Sequence, residues 1–362
     1  MNKLETLVAL NKVSEIGNVR LKKLVEYFGS PENILRGSRE KLALIPGIGE
    51  KIAEKIVSLG KEGIEKELAA AKRLGLKIIT IEDEDYPANL KNIPGCPIVL
   101  YVKGALIPED KFAVGIVGSR RASFYGLSQA EEFAFGLANH GFTIISGMAR
   151  GIDTCSHRGA LKAGKRTIAV IGSGFNYLYP EENKELAEEI SGSGAVISEF
   201  PLDTKPLPQN FPRRNRLISG MSLGLLVVEA AKNSGALITA DFALEQNREV
   251  FAIPGKIDAM NSFGTNELIK QGAKLVSNLS DILEEFSSPP SSEIGKPIKG
   301  KIRLENQEEE RLYGLISNQA IQLDDLAEIA GMDIPRIYDI LFKLMMRKLV
   351  RELPGKHYAR YS

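Results

Sequence analysis

The sequence has few of the residues that build metal centres, disulfide frameworks and bilayer spans. Its 362 residues include two cysteines, three histidines and no tryptophan. Cys96 and Cys155 have no metal-ligand spacing, so we predict a reducing compartment and no disulfide. No apolar run is long enough to cross a bilayer, and the polar N-terminus is not a signal peptide. The sequence therefore predicts a cytoplasmic protein with no metal, no cofactor and no membrane partner.

An excess of charge of one sign is also missing. Lysine and arginine number 47 against 46 aspartate and glutamate residues, which gives a net charge of +1. Such a balance excludes a protein that coats nucleic acid with a uniformly basic surface. Any nucleic-acid site must therefore be a local patch, with the acidic residues segregated elsewhere.

Composition and periodicity divide the chain into four zones. Residues 1–70 carry apolar side chains at helical spacing, among them Leu7, Leu10 and Leu24, and form a predicted helical domain. Residues 71–286 alternate β-branched runs with amphipathic stretches, as a parallel α/β sheet requires. Residues 287–302 have the Ser and Pro content of a linker. Residues 303–362 read as helices closed by a two-stranded hairpin, which is typical of a winged helix.

The predicted fold is α/β: a Rossmann-like parallel sheet core between an N-terminal helix-hairpin-helix (SAM-like) domain and the C-terminal winged helix. A strand-like segment covers 77–81, and a Pro-rich connection follows it. Helices are expected between the later strands, for example over 125–139 and 236–246. The strands of the parallel sheet are predicted at 112–117, 143–146, 167–171, 195–198, 223–228 and 249–253, with a last short one near 274–276.

The segment 45–53 has the helix-hairpin-helix pattern of an apolar residue, Pro, Gly, apolar residue, Gly and a helix. Gly47 and Gly49 allow close approach of a phosphate, and the helix that follows offers free N–H groups. Lys51 adds a positive charge. The pattern serves packing in many proteins as well as DNA binding, and the sequence leaves both roles open.

Small residues and cations follow nearly every strand of the predicted sheet. In open parallel sheets, ligands bind outside the carboxyl ends of the strands. Small residues expose backbone N–H donors, and an arginine fork matches phosphate oxygens. Several such turns side by side suit a run of phosphates, so we predict an extended polyanion as ligand. The predicted contacts are Gly118, Ser119, Arg120, Arg121, Ser146, Gly147, Arg150, Gly172, Gly174, Arg213, Arg214, Asn215, Arg216, Ser234, Gly235 and Lys256.

Aromatic residues are interleaved with these turns, as in proteins that stack single-stranded bases. Phe124, Tyr125, Tyr179 and Phe211 belong to this set, and we expect at least half of its rings to fill the space between helices and sheet. The stacking platforms are predicted to be Phe175 and Tyr177.

Enzyme motifs fit the sequence poorly, and no catalytic residue is predicted. The first strand lacks the dinucleotide-binding glycine pattern, and no Walker loop follows a strand. Asp153, Ser156 and His157 allow a Ser/His/Asp arrangement, but a helix N-cap at Asp153 and a packing role for His157 are favoured. Glu199 and Glu229 could serve a nucleotide ribohydrolase, which is the alternative function. They could equally orient the arginine side chains, and this second role is favoured.

At these residues the chain resembles the DprA/Smf family of bacterial DNA-processing proteins. The resemblance covers the central domain nearly end to end, and the flanking helical domains match the longer family members. The matching segments are GSRRASFYG at 118–126, SGMARGIDTCSHRGAL at 146–161, TIAVIGSGFNYLYPEEN at 167–183, SEFP at 198–201, FPRRNRLISGMS at 211–222, VVEAAKNSGALITADFAL at 227–244 and EVFAIPG at 249–255.

The resemblance implies a homodimer that binds and protects incoming single-stranded DNA in natural transformation and helps to load RecA recombinase onto it, without catalysis. It assigns the key DNA-binding arginine to Arg120. Glu181 stands where family members often carry lysine, and an arginine of the 213–216 segment is expected to compensate. An apolar patch for dimerisation is expected around Phe242, Leu244, Leu268 and Ile269.

The C-terminal domain contains a presumed recognition helix over 334–347. Leu341, Leu344 and Met345 leave few polar side chains for base edges, and the acidic run 308–310 repels phosphate. Contact with a protein or accessory DNA binding is therefore favoured over recognition of a duplex.

Overall fold

Six helices lie within residues 1–73, and their apolar faces share one core. The computed structural model describes residues 1–286, 307–317, 320–347 and 349–360. The first helix begins at a capping box, in which Asn2 and Glu5 accept each other's backbone N–H. Leu7, Leu10 and Leu24 are fully buried, as their spacing predicted. The helices are α1 (Lys3–Asn11), α2 (Asn18–Phe28), α3 (Pro31–Ile34), α4 (Arg39–Ala43), α5 (Gly49–Val57) and α6 (Lys61–Arg73).

This bundle packs directly on the central sheet. The Leu202 N–H donates to the Glu67 carboxylate over 2.8 Å, and Lys12 pairs with the other carboxylate oxygen at 3.2 Å. Val99 and Tyr101 from the sheet belong to the core of the bundle. The predicted domain boundary at residue 70 falls inside α6. The predicted linker at 287–302 lies outside the described residues.

A nine-stranded sheet forms the centre of the chain, between residues 77 and 275. The strand order is β1-β2-β6-β5-β4-β3-β7-β8-β9, and every pair is parallel except β1–β2 and β2–β6. The strands are β1 (Lys77–Thr80), β2 (Val99–Gly104), β3 (Ala113–Val117), β4 (Thr143–Ser146), β5 (Thr167–Val170), β6 (Ala195–Ser198), β7 (Gly224–Val227), β8 (Glu249–Ala252) and β9 (Lys274–Leu275).

All the predicted strands are present, with ends that differ by a residue or two. The strand β2 was missed, because Pro94 and Pro97 stand just before it and indicated a connection. Its residues from Val99 to Val102 are fully buried, and β2 joins the antiparallel edge strand β1 to β6.

Helices cover both faces of the sheet, as the alternation within the strands requires. Val114 and Ile116 point to the layer that contains the helices over Phe124–Asn139 and Ile152–Lys162. Ala113 and Val117 point to the layer of the helices over Asn210–Met221 and Gly235–Glu245. No helix in the described parts of the chain combines the length and apolarity that crossing a bilayer requires. The helices of this part are α7 (Ala88–Lys91), α8 (Phe124–Asn139), α9 (Ile152–Lys162), α10 (Lys184–Ser193), α11 (Asn210–Met221), α12 (Gly235–Glu245), α13 (Phe263–Lys270) and α14 (Ser280–Leu283).

The described C-terminal residues form a winged helix, as predicted. A three-stranded sheet of order β10-β12-β11 closes the helices, and Leu312, Leu326, Leu341 and Tyr358 fill the core. The elements are α15 (Gln307–Leu315), β10 (Ile321–Gln322), α16 (Leu323–Ala330), α17 (Ile334–Met346), β11 (Val350–Leu353) and β12 (His357–Arg360).

The acidic run of this domain is engaged within the domain. Glu309 is buried and pairs with Arg347 at 3.1 Å, and Glu308 pairs with Arg336 at 2.6 Å. The whole run was expected to repel phosphate, which is wrong for Glu309. Leu341 and Leu344 are core residues and take no part in reading bases.

Candidate nucleic-acid interface

A groove opens at the carboxyl edge of the sheet, where the strand order reverses between β3 and β7. To one side of β3 the chain continues through β4, β5 and β6, and to the other side through β7, β8 and β9. Such a reversal leaves a crevice between the turns that follow the two strands. The crevice has a volume of about 1060 Å³ and is lined by the turns after β3 and β7, by the start of α11 and by residues 260–263.

The turn after β3 has a fixed backbone and two exposed cations. The Ser119 N–H donates to the Glu229 carbonyl oxygen over 2.8 Å, and the Arg121 N–H donates to Ser119 Oγ over 3.1 Å. Asn261 binds the Arg121 carbonyl oxygen at 2.8 Å. Arg120 and Arg121 both line the groove and are exposed, and neither forms an ion pair with another described residue. Their guanidinium groups are therefore available to an anion.

Aromatic rings line the groove beside Arg120, but they are not the two that were predicted. The guanidinium carbon of Arg120 lies 5.2 Å from the centroid of Phe211, and the Tyr179 ring lies 5.8 Å from the same centroid. Phe175 instead packs among the N-terminal helices and α10, and Tyr177 is exposed outside the groove. Phe211 and Tyr179 thus form the aromatic pair of the groove.

Arg214 lines the groove but is buried, with 4% of its surface exposed. It donates to the Gly147 carbonyl oxygen over 2.5 Å and also to that of Val170. Burial lowers the pKa of Arg214 to about 10. A Cβ atom at Gly147 would lie 2.6 Å from the guanidinium, so glycine is required there. Arg214, which was predicted to contact phosphate directly, instead ties the turn after β4 to the end of β5.

Arg213 and Arg216 lie on the other face of α11. Both pair with the buried carboxylate of Glu199, Arg213 at 3.3 Å. Neither guanidinium lines the groove. The expected orientation of arginines by Glu199 is present, but these two arginines are bound to Glu199 and do not replace the lysine that is missing at Glu181.

Arg150 lines a small cavity beside the groove and is paired with an acid. Its guanidinium binds Glu182, with one contact of 3.1 Å, and the neighbouring Glu181 pairs with Lys184 at 2.7 Å. Arg120, Arg150 and Arg214 nevertheless line one small cavity of about 20 Å³ together with Tyr179 and Phe211. Three arginines from separate parts of the sequence therefore meet at one point.

Most of the predicted small residues serve close packing. Ser146 is buried and donates to the Ile116 carbonyl oxygen over 2.6 Å. A Cβ atom at Gly118 would lie 2.6 Å from Ile152, one at Gly172 2.8 Å from Phe211, and one at Gly174 2.2 Å from the Leu202 carbonyl oxygen. Gly172 therefore leaves room for Phe211, which lines the groove, whereas Gly118 and Gly174 admit neighbours that do not line it.

The turn after β7 forms the opposite wall. Ser234 caps α12, Gly235 faces open space, and Asn215 donates to the Gly235 carbonyl oxygen over 3.1 Å. Lys256 is exposed after β8 but does not line the groove.

Several residues that line the groove were missed as contacts. They include Lys232 and Asn233 from the turn after β7, and Met260, Asn261 and Phe263 from the segment after β8. Lys232 and Asn233 belong to a turn that was singled out for Ser234 and Gly235, so the signal was present.

The buried polar groups near the groove do not form a catalytic triad. Ser156 donates to the Ile152 carbonyl oxygen over 2.8 Å, and His157 Nδ1 lies 2.7 Å from Thr167 Oγ1. Asp153 is not the N-cap of α9, which is Gly151; its carboxylate accepts the Ala149 N–H over 3.2 Å.

Glu229 holds the start of α8 in place. Its carboxylate accepts the N–H of Ser123 over 2.8 Å and also the Ser123 hydroxyl. The expected orientation of an arginine is therefore wrong for Glu229. Both acids that the ribohydrolase alternative relied on have structural partners within the chain.

The helix-hairpin-helix turn is exposed and is held by cations of α2. Gly47 and Gly49 have φ of +91° and +57°, which explains the two glycines. Arg20 donates to the Gly47 carbonyl oxygen over 2.8 Å, and Lys23 donates to that of Pro46 over 3.2 Å. The packing role is visible in these contacts. A phosphate contact near Lys51 stays a prediction.

Comparison with known proteins places these features in one family. Residues 77–287 match the family described as DNA recombination-mediator protein A, residues 7–58 match the SAM-like helix-hairpin-helix tandem, and residues 300–356 match the DprA winged helix domain. Protein Smf of Escherichia coli is 38% identical over 317 residues, which cover 85% of this chain and 84% of that protein.

Two solved structures are similar over most of their own length. The DNA processing protein A (DprA) of Streptococcus pneumoniae has a TM-score of 0.69 and 35% identity, over 79% of this chain and 99% of that one. The DNA processing protein A of Helicobacter pylori, whose structure is described by its single-stranded DNA binding mode, has a TM-score of 0.52 and 27% identity, over 58% of this chain and 98% of that one. The family match spans more than half of the chain, and the chain belongs to the DNA recombination-mediator protein A family, also called DprA/Smf.

Proposed function

We propose that the groove at the carboxyl edge of the sheet binds single-stranded DNA. The observation that carries the proposal is the meeting of exposed cations with an aromatic pair. Arg120 and Arg121 line the groove without an ion pair to another described residue, and Arg120 lies over Phe211, which contacts Tyr179. Arginine forks suit phosphate oxygens, and rings stack on bases whose faces are unpaired. The described binding of single-stranded DNA by the Helicobacter pylori relative supports the same ligand.

A single strand suits this groove better than a duplex. The exposed cations are few and lie inside a crevice, whereas a duplex offers its phosphates on a broad convex surface. The aromatic pair has a use only when base faces are open. Because phosphate contacts carry no base code, binding is expected to depend little on sequence.

Family membership and the resemblance support a wider role. The chain holds and protects single-stranded DNA for recombination, loads RecA onto it as in natural transformation, and acts as a homodimer without catalysing a reaction. Of the four residues expected at the dimer surface, Leu268 is buried in the core and Leu244 is 57% exposed. An interface would therefore use Leu244 rather than Leu268.

The site is tested by reversing one charge in the groove. Arg120→Glu replaces a phosphate ligand by an anion, so affinity for a labelled single-stranded oligonucleotide should fall by more than tenfold at low salt. Fluorescence anisotropy against single- and double-stranded oligonucleotides of equal length measures this. Arg73→Glu, on an exposed arginine at the end of α6, makes the same charge change away from the groove and should bind almost as the unaltered protein does. Equal affinities of the two variants would remove the site from the groove.

A further inference from the structure

Large apolar side chains are exposed in the connection between β8 and α13. Ile257 is 99% exposed, Met260 83% and Phe263 45%. Met260 and Phe263 line the same groove as Arg120 and Phe211. An aromatic ring that stays nearly half exposed leaves apolar surface in water, which a flat apolar ligand would cover.

Hydrogen bonds to the two walls of the groove fix this connection. The Ala230 N–H donates to the Asn261 carbonyl oxygen and the Gly264 N–H donates to the Ala230 carbonyl oxygen, both over 2.7 Å. Asn261 also donates to the Arg121 carbonyl oxygen over 2.8 Å. The position of Phe263 is therefore set by the turns after β3 and β7.

A cation lies over Phe263 as one lies over Phe211. The Lys232 ammonium is 5.6 Å from the centroid of Phe263, and the Arg120 guanidinium carbon is 5.2 Å from the centroid of Phe211. Lys232 is exposed and forms no ion pair with another described residue. The groove thus contains two pairs of the same kind, each with a ring for a base and a cation for a phosphate.

We propose that Phe263 is a second stacking site for an unpaired nucleobase and that Lys232 binds the adjoining phosphate. The proposal rests on the groove binding single-stranded nucleic acid, and it extends the path of the strand from Phe211 past Arg120 and Arg121 to Phe263. Every base has a π face, so the second site accepts any base. Met260 covers the apolar edge of the same site.

Length dependence and fluorescence test the second site. Oligonucleotides of about 4 and about 12 nucleotides bracket the range that one or two stacking sites require. Phe263→Ala should weaken binding of the longer oligonucleotide at least about fivefold and of the shorter one much less, whereas Phe263→Tyr should restore it. A 2-aminopurine in the longer oligonucleotide should be quenched less on binding to Phe263→Ala than on binding to the unaltered protein.

The controls separate this inference from the function on which it rests. Phe342→Ala removes another exposed ring, on α17, and should leave both affinities unchanged. Weakened binding by Phe211→Leu together with unchanged binding by Phe263→Ala overturns the second site and leaves the proposed function standing. A Phe263→Ala variant that changes molecular mass in light scattering, but not affinity, makes the patch a protein interface and also overturns it. Absence of any binding to single strands by the unaltered protein overturns both.

Discussion

His157 is fully buried, and its described surroundings do not stabilise the protonated form of its imidazole. The Thr167 hydroxyl donates to the Ile144 carbonyl oxygen, so its oxygen accepts from the histidine and Nδ1 carries the hydrogen. Nε2 is buried and has no hydrogen-bond partner among the described residues. Burial and the charge of Arg214 lower the pKa of His157 to about 3. The imidazole of His157 therefore stays neutral in the folded protein at pH values at which it already takes up protons in the unfolded chain.

The free energy of unfolding should fall with pH because of this residue. Between the unfolded pKa near 6.5 and the folded value near 3, the unfolded chain binds one proton more than the native chain, so stability is lost as pH falls. From pH 7 to pH 5 the loss amounts to about 2 kcal/mol. His157→Asn keeps a donor toward Thr167 but cannot titrate, and urea unfolding at the two pH values should show a correspondingly smaller loss.

Comparison of the unaltered protein with His157→Asn separates the effect of His157 on the pH dependence of stability from that of Asp153. Burial raises the pKa of Asp153, which makes its contribution to stability fall as pH rises, opposite in sign to that of His157. Because both proteins contain Asp153, its contribution cancels in the difference. The same loss in both proteins would contradict the assignment to His157.

The two faces of α11 have different roles: one lines the groove and the other stabilises the fold. Phe211, Arg214 and Asn215 line the groove, while Arg213 and Arg216 clamp Glu199 on the opposite side. Phe211→Leu keeps apolar packing against Gly172 but removes the ring, so single-strand affinity should fall by about 1–3 kcal/mol with little change in melting temperature. Anisotropy titration and thermal unfolding measure the two quantities.

A variant on the opposite face should show the reverse pattern. Glu199→Gln leaves two guanidinium groups beside a neutral amide and should destabilise the fold by about 3 kcal/mol while single-strand affinity at a permissive temperature stays the same. Loss of affinity in this folded variant would show that the two faces are not independent.

Most of the elements, though not β2, could be predicted from the sequence because they have a local signal. Buried β-branched runs marked the central strands, and small residues with cations marked the turns that form the groove. The spacing of Phe211, Arg214 and Asn215 at i, i+3 and i+4 places them on one helix face. The same spacing places Arg213 and Arg216 on another face and would have excluded both from the predicted groove contacts. The burial of Arg214 and Phe175 depends on neighbours distant in the chain, so no local pattern reports it.

The net charge of the whole molecule is near zero, but the groove is locally cationic. Its affinity for DNA is expected to depend on one ion pair, between Arg150 and Glu182. Arg120, Arg121 and Lys232 line the groove and form no ion pair with another described residue, whereas Arg150, in the small cavity beside the groove, is paired with Glu182. Three phosphates neutralised on a single strand give a slope of about −2 in a plot of log affinity against log salt concentration.

Glu182→Gln releases Arg150, so the slope should steepen toward −3 and affinity should rise at low salt. Glu189→Gln adds the same charge on the exposed face of α10 without freeing a groove cation, and its slope should stay that of the unaltered protein. Anisotropy titrations at four salt concentrations separate the two variants. Identical slopes for Glu182→Gln and the unaltered protein would have two explanations, which the absolute slope separates. A slope near −3 would mean that Arg150 already contacts phosphate despite Glu182. A slope near −2 would mean that Arg150 never contacts phosphate.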